Sequence, residues 1–279
     1  MYQHKFPPIL WLCIIYVMTI AASCEDDLQI GTRPQDFTKE MREELGELLS
    51  ATIVVNSTQF PIVPETAPFD SAYWYLQTLY DQVTERAHAD RSSMESKRWS
   101  PDRPWKVHII NDDRNQNAFA VPGGDFFITT GLLKSIDKEY EIYYIMAFES
   151  QLMDSRQLLN RLITEYSSVA LDHLIEQRSY PNAVTANIIA SELPSLIFDE
   201  GAVAEVDELS VAEICTTSIF DRLGVVEIIE DGAVENWLDT KNYAGRAVIV
   251  PQLQEAELTD CGVVKSNGTY RRFVLNKLP

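Results

Sequence analysis

Asn117-Ala118-Phe119-Ala120-Val121-Pro122-Gly123-Gly124-Asp125-Phe126-Phe127-Ile128-Thr129-Thr130-Gly131-Leu132-Leu133 is the stretch on which the reading of this 279-residue chain turns. Ala118 to Val121 and Phe126 to Thr129 are short runs of small, branched and aromatic residues. The Pro-Gly-Gly between them reads as a turn. With Trp105 to Ile110 upstream, they predict three strands of one small antiparallel sheet.

Outward from this stretch the chain reads as helical. Phe37, Met41, Leu45, Leu48 and Leu49 recur at helical spacing, with Asp36 placed to cap the first turn. A loop punctuated by prolines leads to a second helix from Asp70 to Ala89, striped by Ala72, Tyr75, Leu76, Leu79 and Val83. A polar loop rich in Ser and Arg then ends at Pro104. After Leu132 the apolar period becomes 3.6 and holds to about Gly224, broken at Pro181 and Asn182 and again at Pro194. From Gly232 onward the pattern is mixed, ending in a basic amphipathic stretch from Tyr270 to Leu278. The fold class expected is therefore α+β, mainly helical with a small antiparallel sheet.

Lys5, the unbroken apolar run from Ile9 to Ala22 and the small residues Ala21, Ala22 and Ser23 before Cys24 read as an export signal over residues 1–23. The small triplet before a cysteine resembles the bacterial lipobox, which predicts lipidation at Cys24. Ordinary cleavage and an uncleaved anchor are the alternatives, and each puts the body of the protein outside the cytoplasm. Residues 24–35 read as a tether and 36–279 as the folded domain. Cys215 and Cys261 are the two cysteines beyond the signal, and in an oxidising compartment they are candidates for a disulfide or for two buried thiols. A formal charge of −19 argues against nucleic acid as a partner.

On the helix expected from about Lys138, the residues Ile142, Ile145, Met146, Glu149, Leu152 and Met153 share one face. A carboxylate inside an apolar stripe is costly unless paired or protonated, so Glu149 is marked as functional, vestigial or salt-bridged.

The Asn-Ala-Phe and Gly-Gly stretch, with its Thr-Gly-Leu-Leu sequel, resembles a signature of the HtpX, BepA and LoiP group of zinc metallopeptidases, which are gluzincins. The order of elements follows that group from about Asp36 to Gly224. The resemblance implies a gluzincin-type domain whose central helix bears H-E-x-x-H. Here Phe148-Glu149-Ser150-Gln151-Leu152 stands at that place. Glu149 matches the general-base glutamate, while Phe148 and Leu152 occupy the two zinc-histidine positions. Ala204-Glu205-Val206-Asp207-Glu208 resembles the downstream E-x-x-A-D helix, with Val203 at the third ligand position and Asp207 at the aspartate that supports a zinc histidine. Arg246 aligns with an arginine near the C-terminus.

Zinc needs nitrogen, sulfur or oxygen donors, and Phe, Leu and Val offer none. His4 leaves with the signal, and His88, His108 and His173 stand alone, none at the i, i+4 spacing that puts two imidazoles on one helix face. A peptidase of this class takes its nucleophile from zinc-bound water, so Glu149 by itself cannot hydrolyse a peptide. The expectation is a non-catalytic homologue without cofactor, its former metal site packed with apolar residues and Glu149 paired with a cation, Arg246 being the candidate.

Family members bind substrate as an extended strand beside the sheet edge. The resemblance thus assigns a peptide-binding edge strand to Phe126, Phe127, Ile128, Thr129 and Thr130, either open to peptide or covered by the helical region. The partners expected are envelope proteins or extended peptides, with membrane contact through an N-terminal lipid and a location on the periplasmic side of the cell envelope. A working metalloendopeptidase using Glu149 or Asp207 with His173, and a structural envelope lipoprotein, are the competing expectations.

Overall fold

The computed structural model describes residues 37–89, 105–136, 138–176, 182–216 and 270–279. Two helices come first, α1 (Lys39–Val55) and α2 (Asp70–Ala89). Strands β1 (Val107–Ile110), β2 (Ala118–Ala120) and β3 (Phe126–Thr129) follow, then α3 (Thr130–Ser135), α4 (Glu139–Asp154), α5 (Gln157–Tyr166), α6 (Ser168–Glu176), α7 (Asn182–Glu192) and α8 (Glu200–Thr216). A 3-10 turn, Leu193–Ser195, separates α7 from α8, and a π-helical turn, Arg271–Leu275, lies near the C-terminus. The architecture is mainly helical with one small sheet. The signal, the tether, Cys24, Cys261 and Arg246 lie outside the described residues, as does the side chain of Cys215. Among the described residues no helix is long and apolar enough to cross a membrane.

The first helix begins later than the position of Asp36 suggests. Its cap is Thr38, whose hydroxyl accepts from the Met41 amide at 3.2 Å and satisfies one of the donors that a helix start leaves open.

Two features of the sheet correct the sequence reading. The strand order is β1-β3-β2, with β1 and β3 parallel and β2 and β3 antiparallel, so the sheet is mixed. β3 is therefore central among the described strands. The segment from Phe126 to Thr130, expected at the edge, has a neighbour on each side, and Thr130 already belongs to α3. The reason lies in the connection from β1 to β2, which crosses to the far side and leaves a gap for β3 to fold back into. β2 forms one edge. β1 forms the other and is extended by a bridge from Ile62 to Ile110.

The Gly-Gly turn has a steric cause. Gly123 and Gly124 have φ of 87° and 110°, a left-handed backbone that residues with a Cβ rarely adopt. A Cβ on Gly124 would also lie 2.0 Å from the Trp105 indole, and the fully buried Tyr80 hydroxyl donates to the Gly124 carbonyl at 2.8 Å. Burial first, then the charges of Asp125, Asp154 and Glu149, hold the Tyr80 phenol far above its ordinary titration range, so it stays a donor. Asp125 closes the hairpin. Its buried carboxylate accepts from Ser50 Oγ at 2.6 Å and from the Lys106 amide at 3.1 Å, tying the turn to α1 and to β1.

At the centre runs α4. Every residue from Tyr140 to Asp154 is buried, and the helix packs on α8, α2, α5 and β2. A helix enclosed on all sides can be apolar around most of its circumference, as Tyr143, Tyr144, Ile145, Met146, Ala147 and Phe148 are.

Candidate functional site

The residues singled out by the sequence converge where α4 meets α8 and β2. Tyr144, Phe148 and Leu152 succeed one another at i, i+4 and i+8 and so line one side of α4. Val203 and Asp207 stand four apart on α8, the helix packed against α4. Phe148 and Val203 are 0% exposed and Leu152 is 1% exposed, so all three are core residues. The Phe148 ring lies 6.4 Å from that of Tyr144 at a tilted angle.

Asp207 is 1% exposed and accepts a hydrogen bond from the Tyr144 hydroxyl. Sequence reasoning missed Tyr144. It stands one turn before Phe148 on an apolar stripe, where a tyrosine is indistinguishable from any core aromatic until its hydroxyl is seen to reach α8. This bond joins the two helices in a low-dielectric interior, where a hydrogen bond to a charged acceptor contributes more than a neutral one. Tyr144→Phe is expected to cost about 1–2 kcal/mol in urea denaturation, because it leaves the Asp207 carboxylate buried with one donor fewer. A loss below about 0.5 kcal/mol would remove the bond from any structural role.

Glu149 is 1% exposed and turns toward the sheet. Its Oε2 accepts from the Ala120 amide at 3.2 Å. The β2–β3 ladder explains why that amide is available. The Thr129 amide donates to the Asn117 carbonyl and the Val121 amide to the Asp125 carbonyl, each at 3.0 Å, so Asn117, Phe119 and Val121 point their backbone groups at β3. Ala118 and Ala120 point theirs away from β3, to the side where no described strand lies. Arg246, the expected cation for Glu149, lies outside the described residues.

Beside β2 a cavity of about 270 Å³ is walled by Phe60, Ile110, Phe119 and Pro194. The Asn117 amide nitrogen donates to the Pro194 carbonyl at 2.8 Å, which fastens the start of β2 to the 3-10 turn. Ala118, Phe119 and Ala120 are themselves buried.

The histidines do not join this cluster. His108 stacks on Phe127 at 4.6 Å, with Nε2 3.6 Å from Asp125 Oδ2, and His173 is exposed on α6. The side chain of His88 is outside the described residues. Among the described residues no group of three or more His, Cys, Asp or Glu is placed to hold a metal ion. At the three positions where the resemblance puts zinc ligands, Phe148, Leu152 and Val203 carry hydrocarbon side chains, which offer zinc no donor, so the ion does not fit them.

Comparison with known proteins yields a match of residues 81–183 to peptidase family M48, a span that runs from the middle of α2 through the sheet and α4 to the start of α7. A 46-residue stretch is 35% identical to the mitochondrial metalloendopeptidase OMA1 of Danio rerio, covering 16% of this chain and 9% of that protein. Val203 and Asp207 lie beyond the matched span. The sheet, the Gly-Gly turn and the helix bearing Phe148, Glu149 and Leu152 therefore belong to the part of the chain that is similar to peptidase family M48.

Proposed function

We propose that this chain is a non-catalytic relative of the M48 metallopeptidases, of the HtpX, BepA and LoiP type, which acts by binding protein partners. The observation that carries the reading is the burial of Phe148, Leu152 and Val203 at 0–1% exposure, in the positions where the resemblance puts the zinc ligands. Without a metal to lower the pKa of a water, the remaining carboxylates lack a nucleophile to deliver. Glu149 and Asp207 instead serve the architecture, one holding an edge-strand amide and the other a tyrosine hydroxyl.

Partners are extended segments of other proteins. Addition of a strand to a sheet edge needs only backbone groups and side-chain pockets, both of which exist without catalysis. The edge that suits it is β2, flanked by the cavity at Phe60 and Phe119. We place this activity at the bacterial cell envelope, on the periplasmic side. The basis is the N-terminal apolar run and the small residues before Cys24, with attachment through a lipid on that cysteine.

Elemental analysis and a peptidase assay on the purified full chain test the central claim. The expected result is zinc far below one ion per chain and no hydrolysis of an unfolded protein substrate, with or without added zinc. Near-stoichiometric zinc, lost together with proteolysis on chelation, would establish a working metallopeptidase instead.

A further inference from the structure

Strand addition at β2 requires the outward backbone groups of Ala118 and Ala120, and one of them is already occupied. The Ala120 N–H donates to Glu149 Oε2 at 3.2 Å. Glu149 is held by a helix buried on every side, so its carboxylate is not a mobile surface group that solvent easily replaces. At the other end of the strand, the Asn117 side chain is fastened to the Pro194 carbonyl. All three residues of β2 are buried, although it is an edge among the described strands.

We propose that Glu149 is a latch on the β2 edge. Its carboxylate holds the amide that an incoming strand would need, so an extended polypeptide pairs with β2 only when that contact opens. The inference rests on the reading of β2 as the partner-binding edge, and goes beyond it by assigning Glu149 a regulatory contact in place of proton transfer. An added strand supplies a neutral carbonyl to the Ala120 amide. The resident carboxylate is the stronger acceptor and is already positioned, so a partner must displace it before gaining the bond. Release therefore sets the apparent affinity through the fraction of molecules with an open edge.

Two variants of similar volume separate acceptor from shape. Glu149→Gln retains an oxygen that accepts from Ala120, whereas Glu149→Leu keeps the bulk and removes the acceptor. The probe is fluorescein-labelled β-casein, an extended unfolded polypeptide, titrated against the full-length chain by anisotropy. Site-resolved amide exchange at Ala120 is measured alongside. Glu149→Leu should bind casein roughly tenfold more tightly than the wild type and exchange the Ala120 amide faster. Glu149→Gln, which offers only a neutral carbonyl, should fall between the wild type and Glu149→Leu on both measures.

Equal casein affinity for the wild type and Glu149→Leu would overturn the latch and leave the edge-binding reading standing. Absence of binding by all three proteins would overturn that reading and the latch with it. If Glu149→Leu does not fold, exchange in the wild type decides: a slow Ala120 amide that speeds up on casein addition supports the latch, and an amide that is fast from the outset removes it.

Discussion

Replacing Phe148 with alanine is expected to lower the stability of the protein by about 3–5 kcal/mol, the range seen when a fully buried aromatic side chain is truncated. For a domain of this size that corresponds to a fall in melting temperature of about 6–20 °C. The argument rests on where the ring is. Phe148 is 0% exposed on a helix with no exposed face, with Tyr144 beside it and Val203 on the facing helix also buried. Truncation removes the transfer free energy of the ring and leaves a void that α4 and α8, held together by the Tyr144 to Asp207 bond, cannot close. An emptied metal socket would behave otherwise, because a side chain lining an open, solvated cavity is worth little when removed. Urea denaturation followed by circular dichroism, with the slope unchanged, measures the difference. Phe148→Leu, which retains most of the volume, should cost no more than about 1.5 kcal/mol. A loss below about 1 kcal/mol for the alanine variant would mean that the site is open rather than packed.

Gly46→Ala is the second large effect, and its sign is the opposite of what helix propensity suggests. Alanine is favoured over glycine within a helix by about 1 kcal/mol. At Gly46, however, a Cβ would lie 1.3 Å from the Pro122 carbonyl oxygen and 3.1 Å from the Gly123 Cα. Both contacts are backbone atoms of the turn, which is pinned through Tyr80 and Asp125, so neither can retreat cheaply. Overpacking of this kind exceeds the propensity gain, and the net loss is expected to be about 3 kcal/mol. Gly201→Ala near the start of α8 is the control. There the nearest atom is the Asp199 carboxylate at 3.3 Å, the side-chain end of a flexible group, and the change should stay within about 1 kcal/mol of neutral. If both substitutions behave alike, the close approach of α1 to the turn is not a constraint.

The helices were legible because their apolar positions repeat every three or four residues. The second helix runs from Asp70 to Ala89 as its stripe implies. The Gly-Gly turn was legible too, since two successive left-handed residues leave few alternatives to glycine. Strand order was not. The runs of small, branched and aromatic residues mark β1, β2 and β3 as strands, but nothing in them says which strand lies between the other two. That is decided by how the 111–117 connection crosses the sheet. Placing the edge at Phe126 to Thr130 failed for this reason. Within the site, the burial of Glu149 could be read from its position on an apolar stripe. Its acceptance of the Ala120 amide could not, because the direction of a backbone N–H depends on the register with β3. Tyr144 and Thr38 were hidden in the same way: each acts through one hydroxyl, whose partner is fixed only by the fold.

The tight packing of Phe148, Leu152 and Val203 also makes the chain resistant to gradual change. A donor introduced at any one of the three positions would be a polar atom without an ion, and each such step would weaken the core before a second or third donor could recover the loss through coordination. A metal centre can be built here only by several substitutions at once. The interior thus acts as a ratchet: while hydrocarbon fills these positions, every single-residue step toward a metal centre runs uphill.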